Sequence, residues 1–283
     1  MTSVIQRHMT DVQQLYNYHS SNHILDQQFN KDTMNILRSN NTPLIHIMLQ
    51  SSGLPMQTVN LLCTAFVLIQ NGLNIHERIG NYTNYETSEM QLKVLAGDFY
   101  SAKYYKVLAD ANLIKDIQLF AKSIQQMNEA KMNRHFAKVN AIDINTYIMW
   151  LEQIHASLAC NLVEEYALEK HLWHQICLNV FLAQALINEQ KNILHSYTGI
   201  ISFKLLLLYE AMKPTTYEQF ISEVATSDQI DELYLKFNID QSVNLYINEY
   251  LNVALEQIEQ LQTKYLKDEL KKYILLIQTE NTL

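Results

Sequence analysis

Apolar residues recur at helical spacing along almost the whole chain. Val4, Ile5, Met9, Val12, Leu15 and Tyr16 fall on one face of a helical net and predict one or two amphipathic helices over 1–30. A second helix is predicted over 30–41, ending in the polar run Ser39-Asn40-Asn41-Thr42. Pro43 then opens a helix over Leu44–Ser51, because proline is tolerated in a first turn whose N–H groups lack partners, and Gly53-Leu54-Pro55 ends it. Met56–Asn71 is a strongly apolar helix, with Val59, Leu62, Cys63, Phe66, Val67 and Ile69. A polar stretch over 82–92 leads into Lys93–Leu108. Stripes over 109–132, 145–165 and 169–190 predict three further helices. Pro214 closes another, and helices over 216–227, 228–237, 243–262 and 265–278 complete the chain.

Composition agrees with long helices and few connections. Gly (5) and Pro (3) are scarce in 283 residues, and no alternating segment is bounded by glycine turns as a hairpin would be. The expected fold class is all-α, a single large helical bundle over 1–283, with 1–30 as an N-terminal helical extension. The net charge of −8 and the lack of a dense Lys/Arg block argue against a nucleic-acid surface or a polybasic membrane patch. The start, MTSVIQRHMTDVQQL, lacks the charged and then apolar architecture of a signal peptide. The apolar run around Leu205–Tyr209 is far shorter than the roughly 18 residues that span a bilayer. No transmembrane segment and a cytoplasmic location are therefore expected. Cys63, Cys160 and Cys177 are widely spaced among apolar residues and read as reduced core thiols.

Polar candidates for chemistry are few. His76-Glu77 are adjacent, so on a helix they point about 100° apart and cannot easily share one ion. Glu152-x-x-His155 is the ligand pair of di-iron bundles, but such a site needs a second pair and two more glutamates. His171 and His174 share a face without a third ligand at helical spacing, and read as interfacial or capping residues. There is no nucleotide loop and no acidic cluster able to hold magnesium. The residues alone support an α-helical bundle without an assembled catalytic constellation.

One helix stands out. In KVLAGDFYSAKYYKVL, Gly97 interrupts a helix-favouring run at a cost of about 1 kcal/mol relative to Ala. Lacking a Cβ, it lets another helix approach closely. Asp98, Phe99, Tyr100, Tyr104 and Tyr105 follow and spread over one broad face. The stretch resembles the trans-prenyltransferase helix (L/A)-G-D-(Y/F)-L-x-A-(R/K)-(A/S), which in that superfamily packs at the subunit interface. Gly97-Asp98-Phe99-Tyr100-Ser101 with Tyr104-Tyr105 is closer still to one branch, the small component 1 subunits of heteromeric heptaprenyl diphosphate synthases.

Other positions extend the resemblance. Catalytic members carry G-K-R-x-R-P to grip the diphosphate of isopentenyl diphosphate; here Pro43 is preceded by Ser39, Asn40 and Thr42 in place of the cations. Their first D-D-x-x-D, whose carboxylates hold Mg²⁺, is matched by Leu68-Ile69-Gln70-Asn71-Gly72-Leu73-Asn74-Ile75-His76-Glu77. That run is similar to the component 1 pattern L-(V/I)-Q-x-x-L-(D/N)-x-H-E, and no aspartate stands between Asp32 and Asp98. Arg78-Ile79-Gly80 echoes the family's R-R-G, and the step from Gly80 to Gly97 fits its spacing. Ile154 and His155 match a Lys-Thr pair that contacts diphosphate. Gln184 persists from the second acidic motif, whose double Asp becomes Ile187-Asn188, or Asn188-Glu189 with a one-residue shift.

The resemblance implies a subunit that is itself non-catalytic and binds no cofactor. Its partner would be a large catalytic subunit carrying two Asp-rich motifs and Mg²⁺, which condenses isopentenyl diphosphate onto farnesyl diphosphate for the menaquinone side chain. Ile69, Gly97, Asp98, Phe99, Tyr100, Tyr104 and Tyr105 become candidates for the partner interface or for the wall of a tunnel around the growing prenyl chain. The rival readings are a helical interaction module unrelated to isoprenoids and an active homodimeric prenyltransferase.

Overall fold

The computed structural model describes residues 3–21, 41–77, 87–191, 201–224 and 227–281. The predicted helix over 30–41, apart from Asn41, and Arg78–Gly80 lie outside them. Among the described residues every regular element is a helix. They are α1 (Ser3–Ser20), α2 (Thr42–Ser51), α3 (Met56–Glu77), α4 (Thr87–Asp110), α5 (Ile114–Phe136), α6 (Ile144–Leu151), α7 (Ser157–Tyr166), α8 (Lys170–Lys191), α9 (Phe203–Met212), α10 (Tyr217–Glu223), α11 (Ser227–Lys236), α12 (Ile239–Gln260) and α13 (Lys264–Asn281). A 3-10 turn (Val139–Ala141) precedes α6, and a π-helical turn (Glu152–Ala156) joins α6 to α7.

Helix ends follow local chemistry. Asp143, Ser202 and Thr216 accept from the backbone N–H of Thr146 (2.8 Å), Leu205 (3.2 Å) and Gln219 (3.1 Å), satisfying donors that the first turn leaves unpaired. Asn112, Lys213 and Asn238 take the left-handed conformation (φ 58°, 47° and 50°) directly after α4, α9 and α11. Asparagine adopts that conformation more readily than most residues, which explains why the chain breaks at 111–113 although the apolar stripe runs on through it.

The chain's contacts divide it into two compact units. The first comprises Met1–Lys122, Asn161–His174 and Leu261–Tyr273. Its hub is α3, against which α1, α2 and α4 all pack. Val59, Leu62, Phe66, Val67, Leu68 and Ile69 of α3 are buried, each large side chain contributing about 1.5–3 kcal/mol by leaving water. α1, expected as an extension, supplies Met9, Val12 and Tyr16 to this core. Among the described residues one helix, Met56–His76, is long and apolar enough to cross a membrane. Most of it is buried inside the protein, so its apolarity serves the core.

The second unit comprises Ser123–Cys160, Gln175–Gln260 and Ile274–Leu283. Its hub is α9, which meets α6, the 3-10 turn, α11 and α12. Phe203 sits between Tyr147 (centroids 5.8 Å apart) and Tyr246 (5.1 Å, edge to face). Cys177 is buried, and burial pushes its thiol well up, as expected of an inert core cysteine.

Candidate functional site

Three sets of positions carry the resemblance. Thr42 is fully buried at the start of α2, while Ser39 and Asn40 lie outside the described residues. Beside Thr42, Asn41 accepts a hydrogen bond from Tyr273 (2.7 Å) and holds φ at 52°.

On α3, Asn71 donates through Nδ2 to the hydroxyl of Tyr16 (2.7 Å). Tyr16 is buried and stacks on Tyr100, with centroids 6.5 Å apart and planes 7° apart. Burial first, and then the neighbouring Tyr100, push the Tyr16 phenol far up, so it is a neutral hydroxyl. Gly72 faces α4: a Cβ there would stand 3.2 Å from Tyr100 Cβ and 3.3 Å from the carbonyl of Gly97. Asn74 is half-buried. Magnesium does not fit this stretch, because a spent amide, a residue without a side chain and a second neutral amide offer no carboxylate to a hard dication. Among the described residues no three His, Cys, Asp or Glu side chains are grouped to hold a metal ion.

On α8, Gln184 donates to Asn188 (3.1 Å). Glu189 accepts from Arg134 Nη1 (3.2 Å) and Tyr147 Oη (2.7 Å) through one oxygen, and from the backbone N–H of Phe203 (3.0 Å) through the other. The carboxylate is thus neutralised by a guanidinium and fastens the first residue of α9. Side-chain exposures of 13% for Arg134 and 12% for Glu189 place the pair well out of water. The π-helical turn contains both Ile154, which is buried, and His155. Glu152 of the same turn lies near Tyr250, whose phenol is pushed up to about 12 by burial and then by Glu152.

The Gly97 helix separates the remaining candidates by face. Gly97 is buried, and the close approach it permits is made by His76 of the same chain: a Cβ would collide with the imidazole. Tyr100 and Ile69 are buried in the core of the first unit. Phe99 and Tyr104 are half-buried, Phe99 edge-on to Tyr100 and Tyr104 edge-on to Phe120. Asp98 and Tyr105 are exposed, two turns apart on one face. Val94, Leu95 and Ala102 share that face, with Leu95 63% and Tyr105 55% exposed.

Sequence reasoning missed Tyr16, Arg134 and Tyr147 as members of these clusters. Tyr16 and Tyr147 each carried one signal, a place in an apolar helical stripe, and for Tyr16 it is the stripe of α1. That stripe indicates burial but not a partner on α3.

Comparison with known proteins gives a consistent picture. The family model of heptaprenyl diphosphate synthase (HEPPP synthase) subunit 1 matches residues 29–244, about three quarters of the chain. The chain is 26% identical to heptaprenyl diphosphate synthase component 1 of Geobacillus stearothermophilus over 156 residues, covering 55% of this chain and 69% of that protein. Among solved structures, a polyprenyl synthase from Caulobacter crescentus CB15, complexed with calcium and isoprenyl diphosphate, has a TM-score of 0.80 at 14% identity over 96% of this chain and 94% of its own. Geranylgeranyl pyrophosphate synthase of Lactobacillus brevis ATCC 367 has a TM-score of 0.79 at 13% identity, covering 97% of each chain. Heptaprenyl diphosphate synthase of Staphylococcus aureus has a TM-score of 0.76 at 14% identity, covering 99% of this chain and 98% of that one. At these identities the structural likeness establishes the fold, that of all-α polyprenyl synthases.

Proposed function

The chain belongs to the heptaprenyl diphosphate synthase subunit 1 family, and from that premise we propose that it is the non-catalytic subunit of a heteromeric long-chain prenyl diphosphate synthase. The observation that carries this reading is the pairing of Asn71 with Tyr16. Where the resemblance calls for a metal-binding carboxylate, a neutral amide is tied to a buried phenol. The Glu189–Arg134 pair supports it, since the nearest carboxylate at the second motif already has its counter-charge within the fold.

Catalysis then falls to a partner subunit that brings both Asp-rich motifs and their Mg²⁺, and condenses isopentenyl diphosphate onto farnesyl diphosphate in the cytoplasm for a menaquinone side chain. This chain binds no cofactor of its own. Its contribution is an ordering surface, the α4 face with Leu95, Asp98 and Tyr105. A central cluster of aromatic and aliphatic side chains usually supplies most of the energy of such a contact. Ile69 and Tyr100 are committed to this chain's own core, which leaves Phe99 and Tyr104 as the residues of the predicted set able to line a prenyl tunnel. A growing prenyl chain gains about 0.8 kcal/mol per CH₂ it buries there, so the depth of the tunnel governs where growth stops.

The test is activity with Mg²⁺, farnesyl diphosphate and isopentenyl diphosphate. The purified chain alone should give no turnover, and adding a D-D-x-x-D synthase subunit from the same source should give long-chain product above what that subunit makes alone. Turnover by the chain alone, with the partner excluded by mass spectrometry, overturns the proposal.

A further inference from the structure

Asn71 and Gly72 of α3 form an Asn-Gly step, a dipeptide that occurs once in the 283 residues. Asparagine followed by glycine is the pair most prone to lose its amide. The backbone nitrogen of the second residue attacks Cγ of the asparagine. Glycine has no side chain to obstruct that approach or the backbone rotation it needs. Ammonia leaves as a cyclic succinimide closes. Water then opens the ring at either carbonyl, giving aspartate or, when the chain continues through the side chain, isoaspartate.

The fold restrains both reacting groups. Asn71 Nδ2, the nitrogen that would leave, donates to Tyr16 Oη at 2.7 Å. Gly72 is buried, and its N–H is committed to the backbone ladder of α3. A Cβ on Gly72 would stand 3.2 Å from Tyr100 Cβ, so this side of α3 is packed on α4. The step can react only when α3 opens locally around it. The docking of α1 controls that opening. Tyr16 is fully buried and stacks on Tyr100, and with Met9 and Val12 it fixes α1 to α3 and α4. Detaching α1 frees the amide and uncovers this side of α3.

We infer that Asn71-Gly72 is a deamidation site that docked α1 keeps closed. Conversion exchanges an amide donor for a carboxylate acceptor beside the buried Tyr16 hydroxyl, a poor match for a charge partly removed from water. Isoaspartate also adds a methylene to the backbone of α3 where it crosses α4. Both products weaken the seat of α1. The event runs one way: once α1 has detached and Asn71 has converted, the original contact cannot re-form.

The test incubates the full chain in mildly alkaline buffer and follows each asparagine-containing peptide by mass spectrometry, with chromatography separating the aspartate and isoaspartate forms. In urea, Asn71 should convert ahead of every other asparagine. In the folded chain it should convert at least about tenfold more slowly than in urea. Tyr16→Phe keeps the ring but removes the acceptor, and Val12→Ala loosens α1 without touching the amide. Each should speed conversion in the folded chain at least about threefold. Another asparagine converting first in urea, a folded chain that converts as fast as the unfolded one, or a folded-state rate that neither variant raises overturns the inference.

Discussion

The imidazole of His76 fills the space that a Cβ on Gly97 would occupy, so the two residues form a single fitted contact at the crossing of α3 and α4. Asp98 Oδ1 stands 3.8 Å from His76 Nε2, at the exposed edge of the same contact. Gly97→Val should therefore destabilise the isolated chain by about 1–3 kcal/mol through overpacking. Adding His76→Ala should recover most of that loss. Urea melts of both single variants and of the double variant check this. A double variant no more stable than Gly97→Val alone would remove His76 as the neighbour that matters.

Removing one member of a buried ion pair costs more than removing both. Arg134→Met leaves the Glu189 carboxylate with only Tyr147 and the Phe203 N–H, and should cost about 3–5 kcal/mol. Arg134→Met combined with Glu189→Leu should cost clearly less than Arg134→Met alone, because no uncompensated charge remains. Denaturant midpoints of the three proteins give the comparison, and an equal loss in single and double variants would show that the pair acts through packing alone.

The contrast between these two contacts shows what the sequence could disclose. Gly97 was legible because a glycine inside a helix-favouring run needs a close neighbour, and a close neighbour is present. Which neighbour was not legible. The aromatic run beside it suggested an outside partner, whereas His76 of the same chain takes the place. The helices were readable from periodicity. Arg134 was not readable at all: its partner lies 55 residues away on another helix, and one arginine near a helix end has many possible uses. The division of α4 into a buried and an exposed side was equally hidden, because aromatic residues occur on both. The π-helical turn at Glu152–Ala156 carried no sequence signal, its residues being compatible with an ordinary helix.

Several buried and half-buried phenols set an alkaline limit on stability. Tyr16, Tyr147, Tyr166 and Tyr250 all have raised pKa values, with burial as the first cause in each case. A phenol raised in the folded state is protonated in both states below its unfolded value of about 10, so its contribution is fully present there. Above that pH the unfolded chain ionises first, and stability is lost as pH rises toward the folded value. For Tyr250 the window runs from about 10 to about 12. The melting temperature should therefore fall above about pH 10, and Tyr250→Phe should make the fall shallower. A wild-type melting temperature still level at about pH 11 would contradict the placement of these groups.

The exposed side of α4 gives the last prediction, which separates a partner surface from ordinary core. Leu95 and Tyr105 lie on the solvent side with Asp98, whereas Tyr100 is buried against Tyr16. If the solvent side meets the catalytic subunit, truncating it should weaken association without weakening the fold. Leu95→Ala and Tyr105→Ala should each raise the dissociation constant about fivefold or more, the effect of losing roughly 1 kcal/mol at an interface. Their melting temperatures alone should stay near wild type, because little core packing is removed. Tyr100→Ala should behave in the opposite way. It opens a cavity and strands the Tyr16–Asn71 hydrogen bond beside it, at a cost of about 3–5 kcal/mol to the isolated chain. Thermal melting of each variant alone and titration against the catalytic subunit make the comparison. Leu95 and Tyr105 variants that bind the partner as tightly as wild type would move the interface off α4 and leave the helix only its packing role against α3.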